Sequence, residues 1–375
     1  MPEQRLTRAA RVVVKLGSNV ITAENSLNLD VIDSISSQIS TLMDRGIEVI
    51  LVSSGAMAAG VRKMKMKGRP DEIPKRQAVS AIGQSGLINA YEASFAKFDK
   101  KVAQILLTAD DLNNRKRYLN ARNSLHTLIK WQVVPVVNEN DTIMVEEIKL
   151  GDNDNLAAMI TLLLDADFLF ILTDIDGLYN KDPRTCPDAA LISKTSAFDD
   201  RIREFASHIP GTLGTGGMLS KILAARKVTA AGIPMIVARG DRPDMLLRLF
   251  EGENHGTYFV PKEEKMTSRK CWIAYTLSPK GSLVIDDGAV RAIRHHGKSL
   301  LPSGVVEVEG SFEQGAPVSF KTRSNETVGI GLSNYSASDI DLIKGLKTSR
   351  IEACLGNRHY DEIIHRDNLV LTDRC

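Results

Sequence analysis

Through roughly the first 260 residues, short runs of consecutive apolar residues alternate with longer stretches whose apolar positions recur every three or four residues. The continuous runs, at residues 11–16, 47–52, 102–107, 133–137, 168–172 and 233–238, predict strands. The periodic stretches, at residues 29–45, 76–98, 116–131, 155–164 and 218–231, predict amphipathic helices. Strands that read as unbroken Val/Ile/Leu runs are buried on both faces. Their alternation with helices predicts an α/β fold, a three-layer α/β/α sandwich around a mostly parallel sheet.

After Phe259-Val260 the pattern changes. Pro261-Lys262-Glu263-Glu264-Lys265 is charged and led by proline, and residues 261–278 read as a linker. Beyond it, short β-type runs at 282–285, 304–308, 317–321 and 327–330 are separated by turn signals such as Asp287-Gly288, Pro302-Ser303-Gly304 and Glu309-Gly310. A small, mainly β domain with one or two helices is expected. A chain of 375 residues has room for two such domains.

Composition narrows the function classes. The formal net charge is +2 and 25% of residues are charged, so no global field points to nucleic acid or a membrane surface. Cys186, Cys271, Cys354 and Cys375 are widely spaced, which fits a reducing compartment and argues against a disulfide framework or a zinc site. His295-His296 lies in a charged segment and reads as solvated rather than metal-binding. The N-terminus has no apolar core of signal-peptide length, and no run of eighteen apolar residues occurs, so the expectation is a soluble cytoplasmic protein.

In doubly wound sheets ligands gather beyond the carboxyl ends of the strands. The first strand ends Val14-Lys15-Leu16-Gly17-Ser18. A lysine inside an apolar strand either meets an anion or snorkels to solvent. The second strand ends Ser53-Ser54-Gly55, a helix start whose free N–H groups suit an anion or serve only as a cap. Asn138-Glu139-Asn140-Asp141 and Gly151-Asp152-Asn153-Asp154-Asn155 flank a loop and could grip a small polar molecule. The fifth strand ends Leu172-Thr173-Asp174. Finally, Gly211-Thr212-Leu213-Gly214-Thr215-Gly216-Gly217 runs into Met218-Leu219-Ser220-Lys221 at the start of a helix. Backbone N–H groups, helix dipole and a first-turn ammonium converge there on one spot, as a polyphosphate requires. Neither GxxxxGK[ST] nor a GxGxxG after the first strand occurs, so phosphate binding would depend on dispersed glycines and two distant lysines.

These motifs in this order, together with Lys181-Asp182-Pro183-Arg184, resemble those of the amino-acid kinase family. The likeness is strongest to its members that act on free glutamate, and it covers nearly the whole chain. Residues 279–358, with Asp286-Asp287-Gly288-Ala289 and residues 299–305 as the most telling stretches, resemble a PUA domain. The resemblance implies a catalytic domain at 1–260, a PUA-like domain at 279–358 and a tail, 359–375, packed on it. It implies transfer of the γ-phosphoryl of ATP to the side-chain carboxylate of L-glutamate, the first step of proline biosynthesis, with proline as a feedback inhibitor. Lys15 and Lys221 would then hold ATP phosphates, Asp152 would orient the lysines, and Ser54, Asp141 and Asn153 would hold glutamate. Gly17, Thr173, Asp174 and the run Thr215, Gly216, Gly217, Met218, Leu219, Ser220 and Lys221 would contact ATP. Magnesium would arrive with the nucleotide rather than occupy a protein site, and a dimer or tetramer is expected. Ser18 and Ser220 stand where threonine is commoner in the pattern.

Related acceptors remain open: acetylglutamate, aspartate, carbamate or a nucleoside monophosphate. The loop from Asn138 to Asn155 and the appended β domain favour glutamate. A PUA-like domain also raises RNA binding. Residues 262–375 hold 16 Lys+Arg against 15 Asp+Glu, net +1, which is poor for counterion-driven affinity and makes RNA an unfavoured partner.

Overall fold

The computed structural model describes residues 6–23, 26–143, 152–207, 217–263, 265–356 and 360–372. Two compact units are present, Met1–Glu264 and Lys265–Cys375. In the first, the strands are β1 (Arg11–Leu16), β2 (Thr22–Ala23), β3 (Ser26–Leu27), β4 (Glu48–Ser53), β5 (Lys101–Leu107), β6 (Val133–Glu139), β7 (Phe168–Thr173), β8 (Lys194–Thr195), β9 (Met235–Arg239) and β10 (Thr257–Phe259). Five helices bear on the site: α1 (Leu29–Asp44), α2 (Ala56–Lys63), α3 (Ile73–Ala96), α4 (Asp152–Leu163) and α5 (Met218–Ala230).

The main sheet has the order β5-β6-β4-β1-β7-β9-β10-β8. Its first six strands pair in parallel, and β10 pairs antiparallel with β9. Alternate residues feed two cores. Val13, Val52, Ile171 and Val237 pack on one face with Leu156, Ile160, Ile222 and Val228. Val12, Val14, Leu51, Phe170 and Leu172 pack on the other with Ile32, Ile39, Leu87 and Phe95. Each such side chain contributes roughly 1.5–3 kcal/mol by leaving water. The three-layer expectation holds, with one exception in detail. β5 is an edge strand with Lys101 and Gln104 exposed, so it is not buried on both faces.

Helix α2 begins where Ser53-Ser54-Gly55 predicts a helix start, although the apolar pattern marks no helix of that extent. It is short, and it crosses α3 almost backbone to backbone. A Cβ on Gly60 would lie 1.9 Å from the carbonyl oxygen of Val79, and one on Gly83 1.8 Å from that of Ala56. No side chain fits at either position, and the crossing fixes α3 beside the end of β4.

The second unit has β11 (Ser282–Ile285), β12 (Val305–Glu309), β13 (Pro317–Lys321), β14 (Thr327–Leu332) and β15 (Leu369–Leu371), in the order β12-β11-β13-β14-β15. Its core includes Leu283, Ile285, Val318, Phe320, Ile340 and Ile364. Part of the segment read as a linker is a helix, Ser268–Thr276, capped by Thr267, whose Oγ1 accepts from the N–H of Lys270. The charges around it masked the apolar Cys271-Trp272-Ile273, which are buried. Among the described residues no helix is long and apolar enough to cross a membrane.

Candidate active site

β1 sits at the middle of the parallel part of the sheet, between β4 and β7. The chain builds outward from β1 through β4 and then returns to β1's other side with β7, so the strand order reverses here. Lys15, Ser53-Ser54, Asn138-Glu139 and Thr173-Asp174 all end their strands on the crevice that this reversal opens.

On one side of the crevice three charges are buried together. The Nζ of Lys15 lies 2.5 Å from Oδ1 of Asp154, and the Nζ of Lys221 lies 3.1 Å from its Oδ2. The hydroxyl of Ser220 donates to the same Oδ2 at 2.7 Å and to the Gly217 carbonyl at 2.7 Å. Lys15 and Lys221 are 5% and 4% exposed and Asp154 is 0% exposed, so water does little of the compensation. Burial alone would raise the Asp154 carboxyl, but Lys15, Lys221 and Ser220 outweigh it and hold it well below the usual range. Burial lowers the Lys15 ammonium and Lys221 adds to that, while Asp154 opposes both. A lone buried charge here would be costly; two ammoniums on one carboxylate leave the trio with a net positive charge.

Among the described residues, the carboxylate between the lysines is Asp154. The resemblance pointed to Asp152, two residues earlier; that residue begins α4 and its side chain lies outside the described residues. All of residues 156–163 are buried, so no single apolar face existed from which the orientation of Asp154 could be read. Thr215 and Gly216 also lie outside the described residues. Gly217 caps α5, Met218 is buried and Leu219 is exposed. The N–H of Gly17 donates to the Leu172 carbonyl at 2.9 Å, tying the end of β1 to β7. Thr173 Oγ1 donates to Asp174 at 3.0 Å, and Asn19, a residue the sequence did not single out, donates to the other Asp174 oxygen at 2.8 Å. Burial would raise Asp174, but these hydrogen bonds prevail and lower it.

On the other side the groups are neutral. Asn153 Nδ2 donates to Ser54 Oγ at 2.9 Å and to Asn138 Oδ1 at 3.1 Å. Its own Oδ1 is buried without a hydrogen-bond partner among the described residues, which is how an atom reserved for a ligand presents itself. The structure brings Ser54 and Asn153 together, with Asn138, from the first polar cluster, as a third member. Asp141 is held from a different direction, by the hydroxyl of Ser80 on α3. Burial raises its carboxyl, opposed by Ser80 and by Arg69. No cluster of three or more His, Cys, Asp or Glu that could hold a metal ion occurs among the described residues.

Comparison with known proteins identifies the family. Residues 10–239 match the model of the amino acid kinase family, and residues 281–355 match the PUA domain. The chain is 47% identical to a glutamate 5-kinase of Thermoanaerobacter sp. (strain X514), over 97% of this chain and 98% of that protein. It is 48% identical to a glutamate 5-kinase of Geobacter sulfurreducens, over 98% of each. Among solved structures, the carbamate kinase of Giardia lamblia bound to AMP-PNP superposes with a TM-score of 0.51 at 16% identity, over 68% of this chain and 100% of that one. That likeness concerns the fold alone. With a family model matched over most of its length and relatives this similar end to end, the chain belongs to the amino acid kinase family.

Proposed function

We propose that the protein transfers the γ-phosphoryl group of ATP to the side-chain carboxylate of free L-glutamate, giving L-glutamate 5-phosphate. The observation that carries the reading is the buried Lys15–Asp154–Lys221 group facing a pocket of hydroxyl and amides across one crevice. The end-to-end similarity to glutamate 5-kinases supports glutamate as the acceptor.

The acceptor carboxylate is ionised near neutral pH, so no base is needed. The task is to bring two anions into line and offset their repulsion. Asp154 holds both ammoniums at one place, where they can meet phosphate oxygens. As charge spreads over the transferring group, these fixed ammoniums stabilise it without having to reorganise. Thr173, Asp174, Gly17 and the stretch from Thr215 to Lys221 would line the nucleotide side. A magnesium ion carried by ATP would neutralise phosphate charge. The net positive lysine group fits a nucleotide that brings its own cation, since the carboxylate of Asp154 is already committed to both lysines.

On the acceptor side, the Oδ1 of Asn153, without a hydrogen-bond partner among the described residues, suits the α-ammonium, and Asp141 would add a negative charge for it. Proline shares the α-amino-acid head and would compete for or influence the same groups. Cytoplasmic residence and a homo-oligomeric state are part of this reading.

An ADP-release assay with Mg-ATP tests it. Glutamate, acetylglutamate, aspartate, carbamate and UMP are compared as acceptors, and glutamate is assayed with and without proline. Glutamate should give the highest kcat/KM by more than roughly 10²-fold, since a site built for polar groups rejects analogues lacking them. Preference for any other acceptor would overturn the assignment.

A further inference from the structure

Ser80, Gln84 and Tyr91 are spaced four and seven residues apart on α3 and so share one face of the helix. Each bonds a different part of the acceptor pocket. Ser80 donates to Asp141. Gln84 Oε1 accepts from Asn138 Nδ2 at 3.4 Å. Tyr91, fully buried, shares a 2.7 Å hydrogen bond with Ser53, beside Ser54. One polar stripe on one helix underlies the whole acceptor side.

Within that stripe Gln84 stands apart, because the amides it joins have a direction. A backbone carbonyl can only accept and a backbone N–H can only donate. The carbonyl of Glu139 takes Nε2 of Gln84 at 3.4 Å, which turns Oε1 of Gln84 toward Asn138. The N–H of Glu139 donates to Asn138 Oδ1 at 2.8 Å, fixing the second amide in the matching sense. Gln104, on the edge strand β5, donates to Oε1 of Gln84 at 3.2 Å and closes the chain from outside. Asn138 Oδ1 then takes Nδ2 of Asn153, and the Oδ1 of Asn153 is left for a donor. Reversing Gln84 or Asn138 would set a donor against a donor, and reversing Asn153 would set its oxygen against Asn138 Oδ1.

We propose that Gln84 is a positioning residue for the acceptor: it fixes the amide sense of Asn138, and through it of Asn153, so that Asn153 presents an oxygen to the ammonium of an amino-acid acceptor. The proposal rests on the amino-acid-acceptor reading above. Gln84 touches no substrate itself. Its effect belongs in acceptor binding, and the nucleotide side should not register its loss.

The test uses the full-length enzyme and two variants, with KM measured separately for glutamate and for ATP. Gln84→Met keeps the length and removes both polar ends. It should raise KM for glutamate roughly tenfold, with KM for ATP within about twofold and kcat within about threefold. Gln84→Glu keeps the oxygen facing Asn138, but its second oxygen must carry a proton to meet the Glu139 carbonyl. Its KM for glutamate should stay near the wild-type value at low pH and rise as the carboxyl ionises, a rise the wild type lacks. A Gln84→Met enzyme that melts like the wild type with KM for glutamate within about twofold overturns the proposal, as does an equal rise in both KM values. If Gln84→Met does not fold, a Gln84→Glu enzyme whose KM follows the wild type at every pH overturns it. Wild-type enzyme that ignores glutamate strikes the acceptor assignment instead. The preferred acceptor then replaces glutamate in the same comparison, and one without an ammonium overturns the proposal too.

Discussion

On the side of the crevice proposed for phosphate Lys15, Asp154 and Lys221 bury three full charges together, whereas on the side proposed for the acceptor the groups that meet are neutral, Ser54, Asn138 and Asn153, with Asp141 set apart on Ser80. The two sides face different demands. Phosphoryl transfer spreads negative charge that must be met by fixed positive charge in a dry site. An amino acid has to be told from its analogues, and directional hydrogen bonds do that better than a strong field. Damage to the first side should therefore appear in kcat and damage to the second in the KM for the acceptor.

The largest effect should come from Lys221→Ala, with kcat lowered roughly 10²–10³-fold at saturating substrates, as for loss of a group that acts on the developing charge. Steady-state ADP release measures it, and a kcat within about twofold of wild type would remove Lys221 from the electrostatic role.

Asp154→Asn comes next, with kcat lowered roughly 10–10²-fold, because both ammoniums lose the charge that aligns them. It also carries a pH signature. Burial already places Lys15 below the ordinary lysine pKa, so the alkaline limb of kcat should lie below that of a free lysine. Asp154 is what raises it, so the limb should move to still lower pH in Asp154→Asn. Stability runs separately. The depressed Asp154 carboxyl contributes stability that is present above its unfolded pKa and is lost as pH falls through the folded one. Lys15 runs in the opposite sense. The unfolded state binds more protons between its lowered folded pKa and the ordinary lysine value, so stability rises with pH across that window.

The smallest effect of the three belongs to the other side. Asp141→Ala should raise KM for glutamate roughly tenfold with kcat nearly unchanged, since it removes a contact made equally before and during the reaction. A loss confined to kcat would erase the distinction between the two sides.

The same division governs how much the sequence discloses. Strands buried on both faces are legible because an unbroken apolar run has few other uses, and β1 begins and ends where the pattern predicts. Lys15 and Lys221 are legible because a lysine in an apolar strand or behind a glycine run calls for an anion. Asp154 is not, because its helix is buried all round and the neighbouring Asp152 is equally plausible by composition. Of helix α2 only the start is legible, because its packing depends on the close backbone approach at Gly60 and Gly83. Gln84 escapes for a third reason. Its meaning is the direction of an amide, set by the backbone of Glu139, 55 residues away.

The most direct test of the division is glutamate binding to full-length Lys221→Ala, measured by calorimetry in the presence of a non-hydrolysable ATP analogue and magnesium. The account predicts a Kd for glutamate within about threefold of wild type despite the collapse of kcat. A variant that loses glutamate affinity in step with turnover would contradict it, and the two sides of the site would have to be treated as one.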